Sequence, residues 1–148
     1  MNKRLFCFVA LALAVGVLVG STVTYAALQG SLTIPTSGSI FAVNVGVYSD
    51  SACTQNLTSI SWGAVSPGES VDRTVYVKNT GTAPITLSMS TSGWSPAAAN
   101  GPISISWNRG GTALNAGQST AATITLSTIS GISGITDFNV NIIVTGSG

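Results

Sequence analysis

The chain has 148 residues with five basic side chains, four acidic side chains and no histidine, and only 6% of its residues are charged. The missing histidine removes the side chain that most often performs acid–base catalysis and ligates zinc. With so few basic residues, nucleic acids and anionic membrane surfaces are poor candidates for partners.

The first 26 residues have the pattern of a secretory signal peptide. Lys3 and Arg4 precede an uncharged apolar run over residues 5–20, and Thr24 and Ala26 are small residues before a cut at Ala27. We therefore predict an extracellular protein without a membrane segment after cleavage. The alternative is a type IV pilin-like subunit that keeps its apolar helix, although the small residue expected after the basic pair is missing.

The predicted mature chain, residues 27–148, has the length of one domain. It carries three basic and four acidic side chains, a net charge of −1, so its surface is expected to consist largely of Ser, Thr, Asn and Gly. Because little charge repels like molecules, such a chain can pack against copies of itself. Cys53 is the single cysteine of this range, so it either stays a free thiol or forms a disulfide with a second subunit.

Short apolar alternations, separated by Gly, Pro and Asn at intervals of about 8 to 12 residues, predict strands throughout the mature chain. The candidate strands are 28–34, 40–48, 57–62, 71–78, 85–90, 103–107, 122–126 and 138–144. This pattern is typical of an all-β sandwich of the immunoglobulin-like or jelly-roll type with about seven to eight strands. The order of the strands in the sheets does not follow from the pattern.

The alternation of inward and outward positions along a strand also predicts where individual side chains lie. Arg73 is expected at the rim of the sandwich, with its guanidinium in solvent or paired to Glu69 or Asp72. Ile143 breaks the alternation of the last strand, and an apolar side chain on that outer face suggests that something covers it.

The mature chain offers few groups for catalysis or metal binding, and we predict that it is not an enzyme and has no cofactor. Asp50, in the polar segment 48–56, is the best candidate calcium ligand. One carboxylate is little for a cation that takes six to eight oxygens, so a polar turn is the preferred interpretation. Asn56-Leu57-Thr58 matches the pattern for N-glycosylation.

The tryptophans divide into two groups. Trp62 and Trp107 have inward parity and are expected in the core. Trp94 and Arg109 lie in predicted loops, where they could contact a carbohydrate or a protein. A secreted monomeric or wall-attached binding module that uses these loops, with cell-surface glycans as one class of ligand, is therefore the alternative function.

The segment "VYVKNTGTAPITL", residues 75–87, resembles the strand–Asn-Thr-Gly–strand hairpin of immunoglobulin-like modules, including those of the hydin and NPCBM-associated kind. Asn79 and Gly81 can take the positive φ values that a tight connection needs. The resemblance implies a fold and a pairing of strands 71–78 and 85–90, but no activity.

The segment "AALQGSLTIPTSGSI", residues 26–40, contains a short amphipathic strand at the processed end of the chain. Leu28, Gly30, Leu32 and Ile34 share its apolar face. The next residues, 35–39, include Pro35 and Gly38 and are expected to form a flexible hinge. We therefore divide the mature chain into a donor strand with its hinge, 27–38, and a sandwich, 39–148.

This layout resembles the TasA/camelysin-like biofilm fibre proteins and the archaeal bundling-pilus subunits. The resemblance implies a homopolymeric filament built by donor-strand complementation, in which each N-terminal strand completes the sandwich of a neighbouring copy. Inserting each large apolar side chain of the strand would contribute roughly 1.5–3 kcal/mol. The alternative is that residues 28–34 pair within their own chain as its first strand.

Overall fold

The computed structural model describes residues 34–148, which form nine strands in two layered sheets. The strands are β1 (Ile34–Val43), β2 (Gly46–Tyr48), β3 (Ser59–Val65), β4 (Ser70–Lys78), β5 (Ile85–Ser95), β6 (Ile103–Trp107), β7 (Ala113–Leu114), β8 (Ser119–Thr128) and β9 (Phe138–Ser147). Sheet A has the order β3-β1-β9-β5-β7, and sheet B has the order β2-β4-β8-β6. The predicted all-β sandwich is confirmed.

The core lies between the two sheets and follows the alternation of the sequence. On β8 and β9, every second side chain is buried, including Ile124 and Leu126 on one sheet and Phe138 and Ile142 on the other. Trp62 on β3 is also buried, with 1% of its surface exposed. Trp107 points inward as predicted but is only half-buried, because it ends the edge strand β6.

The first strand lies inside sheet A and pairs on both sides. It runs antiparallel to β3 and parallel to β9, with residues 36–43 in register with 138–145. The expected hinge at 35–39 is therefore wrong, because these residues are part of β1. Ile34 and Pro35 pair only with β3, because β9 begins at Phe138, the partner of Thr36.

The expected strand 40–48 is divided into two by Asn44. Asn44 has φ = 60°, and there the chain passes from β1 in sheet A to β2 in sheet B. The alternation shifts by one residue at this point, so Ile40 is buried on β1 and Val45 and Val47 are buried after it. The predicted domain boundary after residue 38 falls inside β1.

Strands β4 and β5 belong to different sheets, so the predicted hairpin between them is wrong. The connection is instead organised by Asn79, which is fully buried. Its Oδ1 accepts a hydrogen bond from the Gly81 N–H, and its Nδ2 donates to the backbone oxygens of Ala83 and Leu114. Neither Asn79 nor Gly81 has the positive φ value expected of a tight hairpin.

Candidate functional site: the place of the first strand

The candidate site is the gap between β3 and β9 that β1 fills, which we name the first-strand slot. β1 is the pairing partner of β3 in sheet A, and it also covers one edge of β9. On its C-terminal side, only Asn44 and Val45 connect it to β2. A strand at one end of the described chain thus completes the interior of a sheet whose other strands all come later in the sequence.

The inner side of the slot is lined by large side chains of β3 and β9. Gly38 is buried on β1, and a Cβ at this position would lie 3.4 Å from Ile142 Cδ1 and 3.7 Å from Trp62 Nε1. The indole N–H of Trp62 is buried without a hydrogen-bond partner. A Cβ at Gly38 would therefore meet both side chains at ordinary van der Waals distances.

The outer side of the slot is polar. The Ser37 hydroxyl donates a 2.7 Å hydrogen bond to Asn139 Oδ1 on β9. At the end of β1, Asn44 Nδ2 donates to the backbone oxygen of Gly146 at 3.2 Å. These bonds hold the strand to β9 at both ends of their shared ladder.

The outer edge of β3 is closed by Arg73 from sheet B. Its Nε donates to the backbone oxygen of Ser61 at 3.0 Å, its Nη2 to that of Trp62 at 2.8 Å, and its Nη1 to that of Asp72 at 2.9 Å. The predicted position at the rim is correct, and the partners are backbone oxygens instead of the expected carboxylates. Because edge strands pair readily with other chains, this side chain protects β3 from further pairing.

Comparison with known proteins adds no family to this description. No protein-family model matches the chain, and no curated protein matches it. The resemblances to fibre proteins and to hydin-like modules therefore stay predictions. No helix within residues 34–148 is long and apolar enough to span a membrane.

The predicted donor strand lies mostly outside the described residues, which do not include Leu28, Gly30 or Leu32. Ile34 is described as the first residue of β1, where it pairs with Val65 of its own chain. Of the predicted apolar face, Ile34 is therefore the one residue whose backbone pairing is described.

The two loop residues predicted to bind a ligand do not form one site. Arg109 lies in the loop whose Gly111 and Thr112 bond to Leu87 near the start of β5, whereas Trp94 is on β5 itself, near its other end. Both are also engaged within the chain. The Trp94 ring stacks on Phe138 at a centroid distance of 5.8 Å, and Arg109 Nε donates to the Ala121 oxygen.

The polar segment around Asp50 forms a turn. The Asp50 carboxylate accepts hydrogen bonds from the Gln55 N–H, the Thr54 N–H and the Thr54 hydroxyl. These bonds, the one from Gln55 above all, lower the pKa of the carboxyl below its usual value, although desolvation opposes them. Residues 34–148 contain no cluster of three or more His, Cys, Asp or Glu suited to a metal ion, and calcium at Asp50 stays a prediction.

Two further predicted sites lie in and after this turn. Cys53 is a free, half-buried thiol with φ = 55°. Asn56 is exposed and forms an isolated bridge with Tyr48. An exposed side chain is what glycosylation of Asn56 requires, and the modification itself stays a prediction.

Proposed function

We propose that the protein is the structural subunit of an extracellular filament in which each copy supplies its N-terminal strand to the sheet of the next. One observation supports this most strongly: β1 is the first described strand, yet it occupies an internal position between β3 and β9. The donated segment in this proposal is longer than the sequence indicates, because it includes the whole of β1, Ile34–Val43.

The exchange of β1 between copies conserves its interactions. The same ladders to β3 and β9, and the same burial of Ile40 and Gly38, are formed whether β1 comes from its own chain or from a neighbour. Domain swapping of this type needs little free energy per subunit, since the closed and exchanged forms differ mainly in the connecting residues. Here those residues are Asn44 and Val45, which must extend so that β1 reaches the neighbouring slot.

Each exchanged strand carries several backbone hydrogen bonds of about 1 kcal/mol each, together with its buried side chains. Head-to-tail exchange does not close on itself unless the rotation between copies forms a ring, so it generates an open filament.

The experiment compares two double variants by electron microscopy of the secreted protein. Leu32→Asp with Ile34→Asp places charges on the apolar face of the donor strand, and we expect filaments to disappear. The matched control, Ser31→Asp with Thr33→Asp, adds the same charge to the polar face of the same segment, and we expect filaments to persist. Filaments in the first variant would contradict the proposal, provided that circular dichroism shows both proteins folded.

A further inference from the structure

The charged side chains are distributed unevenly between the two sheets. The five strands of sheet A, as described here, contain no Asp, Glu, Lys or Arg. Within residues 34–148, the charged positions lie on β4 or in loops: Asp50, Glu69, Asp72, Arg73, Lys78, Arg109 and Asp137. Sheet A therefore differs from an ordinary solvated sheet, whose outer face commonly carries charged side chains.

The outer face of sheet A carries many hydroxyl and amide groups, with Ile143 among them. Its positions alternate with the buried ones and include Ser37, Ser39, Ser59, Ser61, Ser88, Ser90, Asn139, Asn141, Ile143 and Thr145. We call these positions the neutral face. Ile143 lies near the middle of β9, which is the central strand of the sheet, and it is only half-buried.

We infer that the neutral face is a self-association surface, and that its partner is the neutral face of a second copy. Two identical faces without charge do not repel each other, and hydroxyl and amide groups act both as donors and as acceptors. An apolar centre within a polar surround is also the usual arrangement of a protein interface. A charged partner would find no opposite charge on the strands of sheet A, and Arg73 at the edge of β3 is bonded to backbone oxygens.

The dimensions of the face are sufficient for this role. Four strands about 4.8 Å apart, each contributing about eight residues of roughly 3.3 Å, give an area of roughly 500 Å² per copy. Two such faces bury roughly 1,000 Å² in total, which is at the lower limit of a specific interface. We therefore expect reversible association, which becomes strong only where many copies are held side by side.

This contact is independent of strand exchange, because it uses the outer face of the sheet and leaves the first-strand slot unchanged. In a filament it would join neighbouring filaments laterally, and in a non-filamentous protein it would form a two-fold dimer. The two forms of association can therefore be tested separately.

The test uses protein that has not assembled into filaments. Analytical ultracentrifugation measures the dissociation constant of its two-fold dimer. Ser90→Asp places a like charge beside Ile143 on both copies, and we expect association to weaken about tenfold, because like charges then face each other. Ser104→Asp adds the same charge to an exposed position on the outer side of sheet B, and we expect a change of less than about twofold. A mixture of Ser90→Asp with Ser90→Lys should restore association as heterodimers.

Three outcomes would overturn the inference. The wild-type protein could remain monomeric at millimolar concentration, Ser90→Asp and Ser104→Asp could weaken association equally, or the mixed variants could fail to associate. Electron microscopy of Ser90→Asp separates this inference from the proposed function: we expect filaments to persist and to lie apart from one another. Loss of the filaments themselves would show that the face acts in strand exchange and contradict a separate lateral surface.

Discussion

Arg73 in sheet B donates a 2.8 Å hydrogen bond from Nη2 to the backbone oxygen of Trp62 in sheet A. Together with the bond to Ser61, it joins β4 to the outer edge of β3. We expect Arg73→Ala to lower the free energy of unfolding by about 1.5–3 kcal/mol, because the part-buried oxygen of Trp62 loses a charged donor. Urea denaturation measures this change.

Arg73→Lys serves as the control for charge. Lysine keeps the positive charge but has no planar fork to reach two carbonyl oxygens at once, so we expect it to recover less than half of the loss. If Arg73→Ala were as stable as the wild type, the hydrogen bonds from Arg73 to β3 would not contribute to stability.

Two buried glycines of sheet A make a matched pair. A Cβ on Gly146 would lie 2.5 Å from Ile85 Cδ1 and 2.9 Å from Val45 Cγ1, whereas the nearest atom to a Cβ on Gly38 would be 3.4 Å away. We expect Gly146→Ala to lose about 1–3 kcal/mol of stability through overpacking. Gly38→Ala should be neutral or gain up to about 0.5 kcal/mol, since glycine is unfavourable inside a strand.

Thermal unfolding of both variants provides the measurement. If Gly38→Ala were as damaging as Gly146→Ala, the first strand would not occupy the slot as described.

Asn79 is a buried polar side chain that follows β4. Its amide bonds to Ala83, just before β5, and to Leu114 in β7. We expect Asn79→Ala to lower stability by about 2–4 kcal/mol, because it leaves the Ala83 and Leu114 oxygens and the Gly81 N–H without their side-chain partner. Asn79→Asp keeps the shape but replaces the amide donor by an acceptor that faces two carbonyl oxygens. We therefore expect Asn79→Asp to be at least as destabilising at pH 7 in chemical denaturation. A loss below about 0.5 kcal/mol in either variant would contradict this role.

Asp50 predicts a pH dependence with a defined sign. Hydrogen bonds from Gln55 and Thr54 lower the pKa of its carboxyl in the folded protein, so the folded state favours the charged form. Its contribution to stability is therefore complete above the unfolded carboxyl pKa of about 3.9 and is lost as the pH falls through the lower folded value.

The matched variant is Asp50→Asn. We expect the stability difference between wild type and Asp50→Asn to be constant from about pH 5 to pH 7 and to shrink below about pH 4. Denaturation curves measured at several pH values test this expectation. A difference that grows on acidification would have the wrong sign and would contradict the hydrogen-bonded turn.

The sequence is sufficient to predict the sandwich and most of its core, because alternation over 122–126 and 138–144 identifies the inward side chains directly. It is insufficient for β7, since Ala113 and Leu114 form too short a strand to have a periodicity. It is also insufficient at Asn44, where one residue with positive φ moves the chain between sheets and shifts the alternation.

The candidate site was harder to predict than the core. The parallel pairing of β1 with β9 joins residues about 100 positions apart in the sequence, and no local pattern specifies such a contact. Pro35 and Gly38 are typical of a flexible segment, but tertiary pairing overrides that local preference. The Asn-Thr-Gly motif indicated a turn at Asn79 correctly, although its flanking strands enter different sheets.

Disulfide trapping between β1 and β9 tests strand exchange most directly. Ser37 and Asn139 are paired across these strands and both are exposed, so Ser37→Cys with Asn139→Cys, in a Cys53→Ser background, can form a bond in either form. Ser88→Cys with Thr145→Cys joins β5 to β9 and is the control, because this bond stays within one chain in both forms.

The measurement is the size of the oxidised, dissociated filament protein on a non-reducing denaturing gel. Strand exchange predicts a ladder of covalent multimers for the β1–β9 pair and a single monomer band for the β5–β9 control. A single monomer band for the β1–β9 pair in filaments, with its thiols fully oxidised, would show that each copy keeps its own first strand and would contradict the proposed assembly.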